Sequence, residues 1–193
     1  MQQFEIGDVL EFLRSAEQLK NTLRSSWTSA GQPESVAQHT WRLSLMAMLF
    51  APSYAHIDFA KLVKMCIIHD LGEAIGGDIP AIDQQPGTSK AVQEREDLQL
   101  LLRPLPERLR QEITALWDEY EAATTPEAKL AKALDKLETI MQHNQGQNPA
   151  DFDYRFNLEY GKRYTTGDPL IESIREVLDR ETAERAAAAD STT

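Results

Sequence analysis

The chain of 193 residues is poor in three things, and each shortage excludes something. It has one cysteine, Cys66, so no internal disulfide can staple it, and a reducing, cytoplasmic setting fits. It is short of positive charge: 20 basic residues face 31 acidic ones, a formal net charge of -11. A nucleic-acid polymer or an anionic membrane as main partner would reward a basic face, so neither is expected. It also lacks long hydrophobic runs. The longest uncharged stretch, Leu43 to Ile57, is 15 residues and contains Pro52, whereas a membrane span needs roughly 20. Met1 to Gly7 has no basic segment of the kind that opens a secretory signal. A soluble chain without a membrane partner is the expectation.

What is present is helical periodicity. With 41% hydrophobic and 26% charged residues, the length suits one domain with a single core, placed at 1–185, with 186–193 as a frayed tail. Residues 4–19 read as an amphipathic helix with Ile6, Val9, Leu10, Leu13, Ala16 and Leu19 on one stripe. A polar link from Asn21 to Gln32 leads to Pro33 and a helix to about Ala51, whose buried stripe includes His39. Asp58 caps a helix from Phe59 to about Leu71, apolar nearly all round and so placed centrally. Gly76, Gly77, Pro80, Pro86 and Gly87 mark a loop. Helices follow at about 89–102 and 107–123, at 126–144 behind the cap Thr125-Pro126, and at 170–185 behind Asp168-Pro169. No segment reads as a strand. The fold class is all-α, a compact bundle of several helices.

The polar residues inside these apolar stripes carry the chemistry. An apolar run, Met65 to Ile68, leads into His69-Asp70, with Glu73 one helical turn on and Asp78 beyond Gly76-Gly77. Burying such groups is costly unless something pairs with them, and a metal ion is the usual partner. One His-Asp pair cannot complete a site, so other helices must supply the rest. His39 and Asp135 are the candidates. Taken singly, each has a plainer reading. His39 would be a hydrogen-bonded core histidine, Asp135 an acid paired with Lys132 or Lys136, Glu73 a helix end. Together, two imidazoles and two carboxylates suit one divalent ion (Mn, Co, Fe, Ni, Zn or Mg) with positions left for water. His56 and His143 read as surface residues, and Glu119, Glu121 and the polar side of the last helix as solvated faces.

The words around these residues are Pro-Glu-Ser-Val-Ala-Gln-His-Thr-Trp, Ile-His-Asp-Leu-Gly-Glu-Ala-Ile-Gly-Gly-Asp-Ile-Pro, Ala-Leu-Asp-Lys-Leu-Glu and Glu-Tyr-Gly-Lys-Arg-Tyr-Thr. They resemble the HD-domain metal-dependent phosphohydrolases, in particular the branch of 5′-deoxynucleotidases, over roughly residues 8–180. The resemblance implies that His39, His69, Asp70 and Asp135 hold the ion, and that Glu73 and Asp78 are catalytic, Asp78 also facing the substrate. Arg24 and Trp27 fall where that branch has an Arg near a Trp, although here two serines separate them. They are expected to bind the phosphate and to wall off the sugar's 2′ position. The implied reaction is hydrolysis of deoxyribonucleoside 5′-monophosphates by a homodimer. Other small phosphoesters, or a non-catalytic metal-holding helical module, remain as alternatives.

Overall fold

A computed structural model describes residues 3–79 and 90–191. The chain runs through α1 (Gln3–Ala16), a 3-10 turn, β1 (Leu23–Trp27), β2 (Pro33–Ser35), α2 (Val36–Phe50), α3 (Phe59–Ile68) and the single turn α4 (Glu73–Gly76). It continues through α5 (Lys90–Leu101), α6 (Glu107–Ala122), α7 (Pro126–Gln145), the short α8 (Phe156–Glu159) and α9 (Pro169–Asp190). The helices expected from the periodicity are present. Pro80, Pro86, Gly87 and the expected helix start at Ser89 lie outside the described residues.

The centre of the bundle is α7, which packs against α2, α3, α6 and α9 and along β1. Most of its 20 residues are buried. Its apolar side meets Leu43, Leu62, Met65 and Ile171 in one core cluster. A second cluster gathers Leu98, Leu101, Leu102 and Trp117 with Ile68 and Leu71, and α1 lies on it. Each fully buried leucine, such as Leu62 or Leu134, contributes ~1.5–3 kcal/mol relative to exposure. The helix expected to be central, α3, is instead one of α7's neighbours, with Phe59 and Ile67 half exposed.

Four expectations are corrected. The polar link contains a strand: β1 pairs antiparallel with β2, and Pro33 sits in β2 rather than in a first helical turn. A serine-rich pentapeptide carries little period-2 signal, so only its partner makes it a strand. The following helix starts at Val36, where Ser35 and Gln38 form a capping box. In α1 the inward face is Val9, Phe12 and Ala16, which are partly buried, while Ile6, Leu10 and Leu13 of the expected stripe are exposed. The last helix continues to Asp190 with Ala186 buried, so residues 186–190 belong to it. Its Arg175 is likewise buried. Arg175 donates to the carbonyls of Asn157 (2.7 Å), Leu158 (2.8 Å) and Tyr160 (2.7 Å), pinning the 157–160 segment to α9. No helix among the described residues is long and apolar enough to cross a membrane.

Candidate active site

Two helix termini and one helix centre bring His39, His69, Asp70 and Asp135 together. The capping box fixes where α2 begins, which sets His39 one turn in and fully buried. His69 caps the C-terminus of α3; its amide donates to the Met65 carbonyl at 3.0 Å. Its ring Nδ1 lies 2.9 Å from the Cys66 carbonyl, and Trp117 Nε1 donates to the His69 carbonyl at 2.9 Å. Asp70 follows in the turn, where its side chain stays 21% exposed. Asp135 comes from the middle of α7.

In both histidines Nδ1 is occupied and Nε2 faces the centre. His39 Nδ1 bonds Glu138 Oε2, and His69 Nδ1–H donates to the Cys66 carbonyl. His69 Nε2 lies 2.9 Å from Asp70 Oδ2, and His39 Nε2 lies 3.2 Å from Asp135 Oδ1. The cross distances, His39 to Asp70 and His69 to Asp135, are both 3.9 Å. Yet neither Nε2 makes an aligned hydrogen bond, and both are buried. One ligand atom each from His39, His69 and Asp70 lies within 4.8 Å of the others. Asp135 closes the ring from α7. Its other oxygen, Oδ2, accepts from Tyr120 Oη at 2.8 Å and lies 2.9 Å from Lys136 Nζ, so Oδ1 is left to the imidazoles. Lone pairs aimed at one point without partners are costly and fit a cation held by four groups of N and O chemistry.

The field around the cluster is strongly coupled. Burial and the nearby Arg24 would lower His39, but Glu138 and Asp135 outweigh them and push it up to about 9. Burial would raise Asp70, but His69 and His39 hold it well below the usual carboxylate range. Asp135 is likewise held low, against burial, by Lys136 and the two histidines. Glu73 is the opposite case: burial, then repulsion from Asp70 and Asp78, pushes it up to about 10 despite Lys90. Its Oε2 is buried without a partner, and Lys90 Nζ lies 3.7 Å from Oε1. The turn that delivers Glu73 depends on Gly72, because a Cβ there would sit 2.5 Å from the Glu94 carbonyl of α5.

Above the cluster opens a cavity of about 720 Å³, a size typical of small-molecule sites. Arg24, Trp27, Asp70, Glu73, Asp78 and Asp135 all line it, so every candidate residue except the two buried histidines reaches this space. Trp27 is half-buried on the wall. Arg24 is anchored by Glu34 at 3.1 Å and by Thr139 Oγ1 at 3.1 Å, with Glu138 at 3.6 Å.

Three residues have a place at the site that the sequence reading did not give them. Glu138 is fully buried and links His39 to Arg42 (2.6 Å) and Arg24; its spacing of three from Asp135 was the available signal. Lys136 lines the cavity beside Gly161. A Cβ on Gly161, whose φ is +69°, would sit 2.7 Å from Lys136 Cβ and Cγ. His143, expected at the surface, is buried and lines the cavity, held by Asn157 and Ser26. Burial pushes its imidazole down to about 4. Lys136, rather than Lys132, is the lysine that pairs with Asp135; Lys132 goes to Glu121. That pair, and Lys61 with Glu119, make the two glutamates ion-paired rather than simply solvated.

Known proteins resemble this chain both in sequence and in fold. The HD domain family matches residues 16–175. Human 5′-deoxynucleotidase HDDC2 is 37% identical over 139 residues, 71% of this chain and 67% of that protein. The 5′-deoxynucleotidase hdd1 of Schizosaccharomyces pombe is 37% identical over 172 residues, 85% of this chain and 82% of the relative. Among solved structures, a protein of Magnetospirillum magnetotacticum named as a predicted metal-dependent phosphohydrolase superposes with a TM-score of 0.81 at 25% identity. That superposition covers 95% of this chain and 97% of the other. The matched segment contains the two imidazoles, the two aspartates and the helices that hold them, and the chain belongs to the HD domain family.

Proposed function

We propose that the protein is a divalent-metal-dependent 5′-deoxynucleotidase, hydrolysing deoxyribonucleoside 5′-monophosphates to deoxynucleoside and phosphate. The relatives that carry that activity in their names support the substrate class. The observation that carries the reading is the pair of buried, unpartnered imidazole Nε2 atoms facing Asp70 and Asp135 at the base of a nucleotide-sized cavity.

In this reading His39, His69, Asp70 and Asp135 hold one ion per chain, of Mn, Co, Fe, Ni, Zn or Mg. When bound, such an ion lowers the pKa of water and polarises a phosphoryl oxygen. The chain's own residues do the rest. Arg24, kept charged by Glu34 and Glu138, receives the phosphate in its planar fork. Water attacks phosphorus, the P–O5′ bond breaks, and the attacking water gives up a proton while the departing 5′-oxygen takes one. Glu73 orients the water and accepts its proton. Charge neutralised at Asp70 would remove one of the repulsions that hold Glu73 protonated. Asp78, also raised by burial, faces the leaving group as proton donor. Trp27 walls the sugar so that a 2′-hydroxyl finds neither room nor partner.

A cytoplasmic homodimer acting on free nucleotides, with neither nucleic-acid polymer nor membrane as partner, completes the proposal. The net charge of -11 supports the last part. The test is phosphate release from a panel of deoxy- and ribonucleoside 5′-monophosphates after chelation and metal add-back. Activity that survives thorough chelation, or a preference for ribonucleotides, would overturn it.

A further inference from the structure

The walls of the cavity have a direction. On α7, Asp135, Thr139 and His143 recur at i, i+4 and i+8 and all line it, so they stand on one face over ~12 Å. β1 runs beside them in the same order. Arg24 Nη2 donates to Thr139 Oγ1 at 3.1 Å, Ser26 Oγ lies 3.1 Å from His143 Nε2, and Gln142 Nε2 donates to the Trp27 carbonyl. Charge therefore stands next to the His/Asp cluster, and the indole and imidazole stand farther along. Toward the N-terminal half of α7 the cavity is lined by the cations Lys136, Lys162 and Arg163 beside Tyr164, surroundings that suit an anion better than an uncharged ring. A ligand whose phosphate sits at the cluster, and whose other end is flat and uncharged, finds Trp27, Phe152 and Phe156 toward the C-terminal end of α7.

We propose that this far end, between Trp27, Phe152 and Phe156, is the subsite for the nucleobase, with His143 as the residue that positions Phe152. The proposal rests on the deoxynucleotidase reading and adds to it the place and the chemistry of base recognition. All three aromatic residues are only partly buried and line the cavity. Flat rings are what a base can stack on without regard to its identity. Phe152 is held edge-on, its centroid 4.9 Å from His143 and 5.0 Å from Tyr154. The His143 ring is itself immobilised: Nδ1 lies 2.8 Å from Asn157 Oδ1 and Nε2 reaches Ser26. Both nitrogens are spent inside the wall, so His143 acts through Phe152 and does not contact the base by hydrogen bond. The carboxylates of Asp151 and Asp153 stand at the same end. They repel a phosphate and accept hydrogen bonds from exocyclic amino groups, which reinforces the orientation.

The test compares two phosphomonoesters in the metal-loaded full chain: deoxyadenosine 5′-monophosphate and its base-free counterpart, 2-deoxyribose 5-phosphate. Wild type should favour the nucleotide in kcat/KM by at least about tenfold, the worth of one stacked base. Phe152→Leu and Phe156→Leu, which keep apolar volume, should each raise KM for the nucleotide about five- to tenfold. Both should leave the base-free ester unchanged. Phe152→Tyr, which keeps the ring, should stay near wild type, and His143→Ala should follow Phe152→Leu in KM with little change in kcat. Equal turnover of the two esters by wild type, or variants that change both substrates alike or neither, would overturn the base subsite while leaving the deoxynucleotidase reading in place. Wild type that hydrolyses neither ester would overturn that reading, and the subsite with it.

Discussion

Replacing Glu138 by glutamine isolates the effect of charge behind the candidate metal site. Glu138 is fully buried, receives His39 Nδ1–H on Oε2 and Arg42 Nε–H on Oε1 at 2.6 Å, and lies 3.6 Å from Arg24. The amide keeps the shape and one acceptor oxygen. It turns the other into an NH2 that must face either the imidazole N–H or the guanidinium, and it removes the negative charge both rely on. Losing one charge-assisted hydrogen bond is worth about 1.5–3 kcal/mol. Loss of a group that orients a metal-binding histidine typically weakens metal affinity about 10–100-fold, which is ~1.4–2.7 kcal/mol. The two estimates agree because they describe the same bond. The expected outcome is a 10- to 100-fold weaker Kd, measured by competition with a chromogenic chelator. Turnover at saturating metal should largely survive, since Glu138 does not line the cavity. A fall in Tm of several degrees should accompany it. An unchanged Kd in a variant with the lowered Tm would refute the reasoning, leaving Glu138 a purely structural counter-ion to Arg24 and Arg42.

Other outcomes can be read in parallel. Glu73→Gln should lower kcat by about 10²–10⁴ with metal content intact, by elemental analysis and steady-state kinetics; near-normal turnover would move the base to Asp78. Trp27→Ala should narrow the deoxy/ribo ratio of kcat/KM for one base, roughly ten- to a hundredfold at most, and an unchanged ratio would remove Trp27 from sugar selection. Metal uptake should release a proton near pH 7, because the metal-free His39 is raised to about 9; the apparent affinity should then rise with pH up to that value. The same shift gives the metal-free protein stability that is fully present below pH 6.5, where an unfolded histidine titrates, and lost as pH rises through about 9. Denaturant melts of chelated protein across that window check the sign, and stability that increases from pH 7 to 9 would contradict it.

Most of this protein could be read before folding. The helices α2, α3, α6, α7 and α9 follow local patterns of apolar residues, caps and breakers written in neighbouring residues, as with Thr125-Pro126 and Asp168-Pro169. His39, His69, Asp70 and Asp135 stood out because polar groups on apolar faces call for a partner. What the chain order could not reveal is whatever depends on a distant surface. β1 is a strand because β2 pairs with it, and Trp27 reaches the cavity because β1 runs beside α7. Glu138 looked like any acid beside a core stripe until α2 brought His39 against it. His143 looked exposed near a helix end until β1 and the segment around Asn157 covered it. Its neutrality follows from that covering, since burial removes the water that would stabilise an imidazolium. Sequence determines which groups a helix presents on one face. Which of them become buried, paired or left facing a cavity depends on the other elements that pack there, because desolvation and partnership are properties of the assembled neighbours.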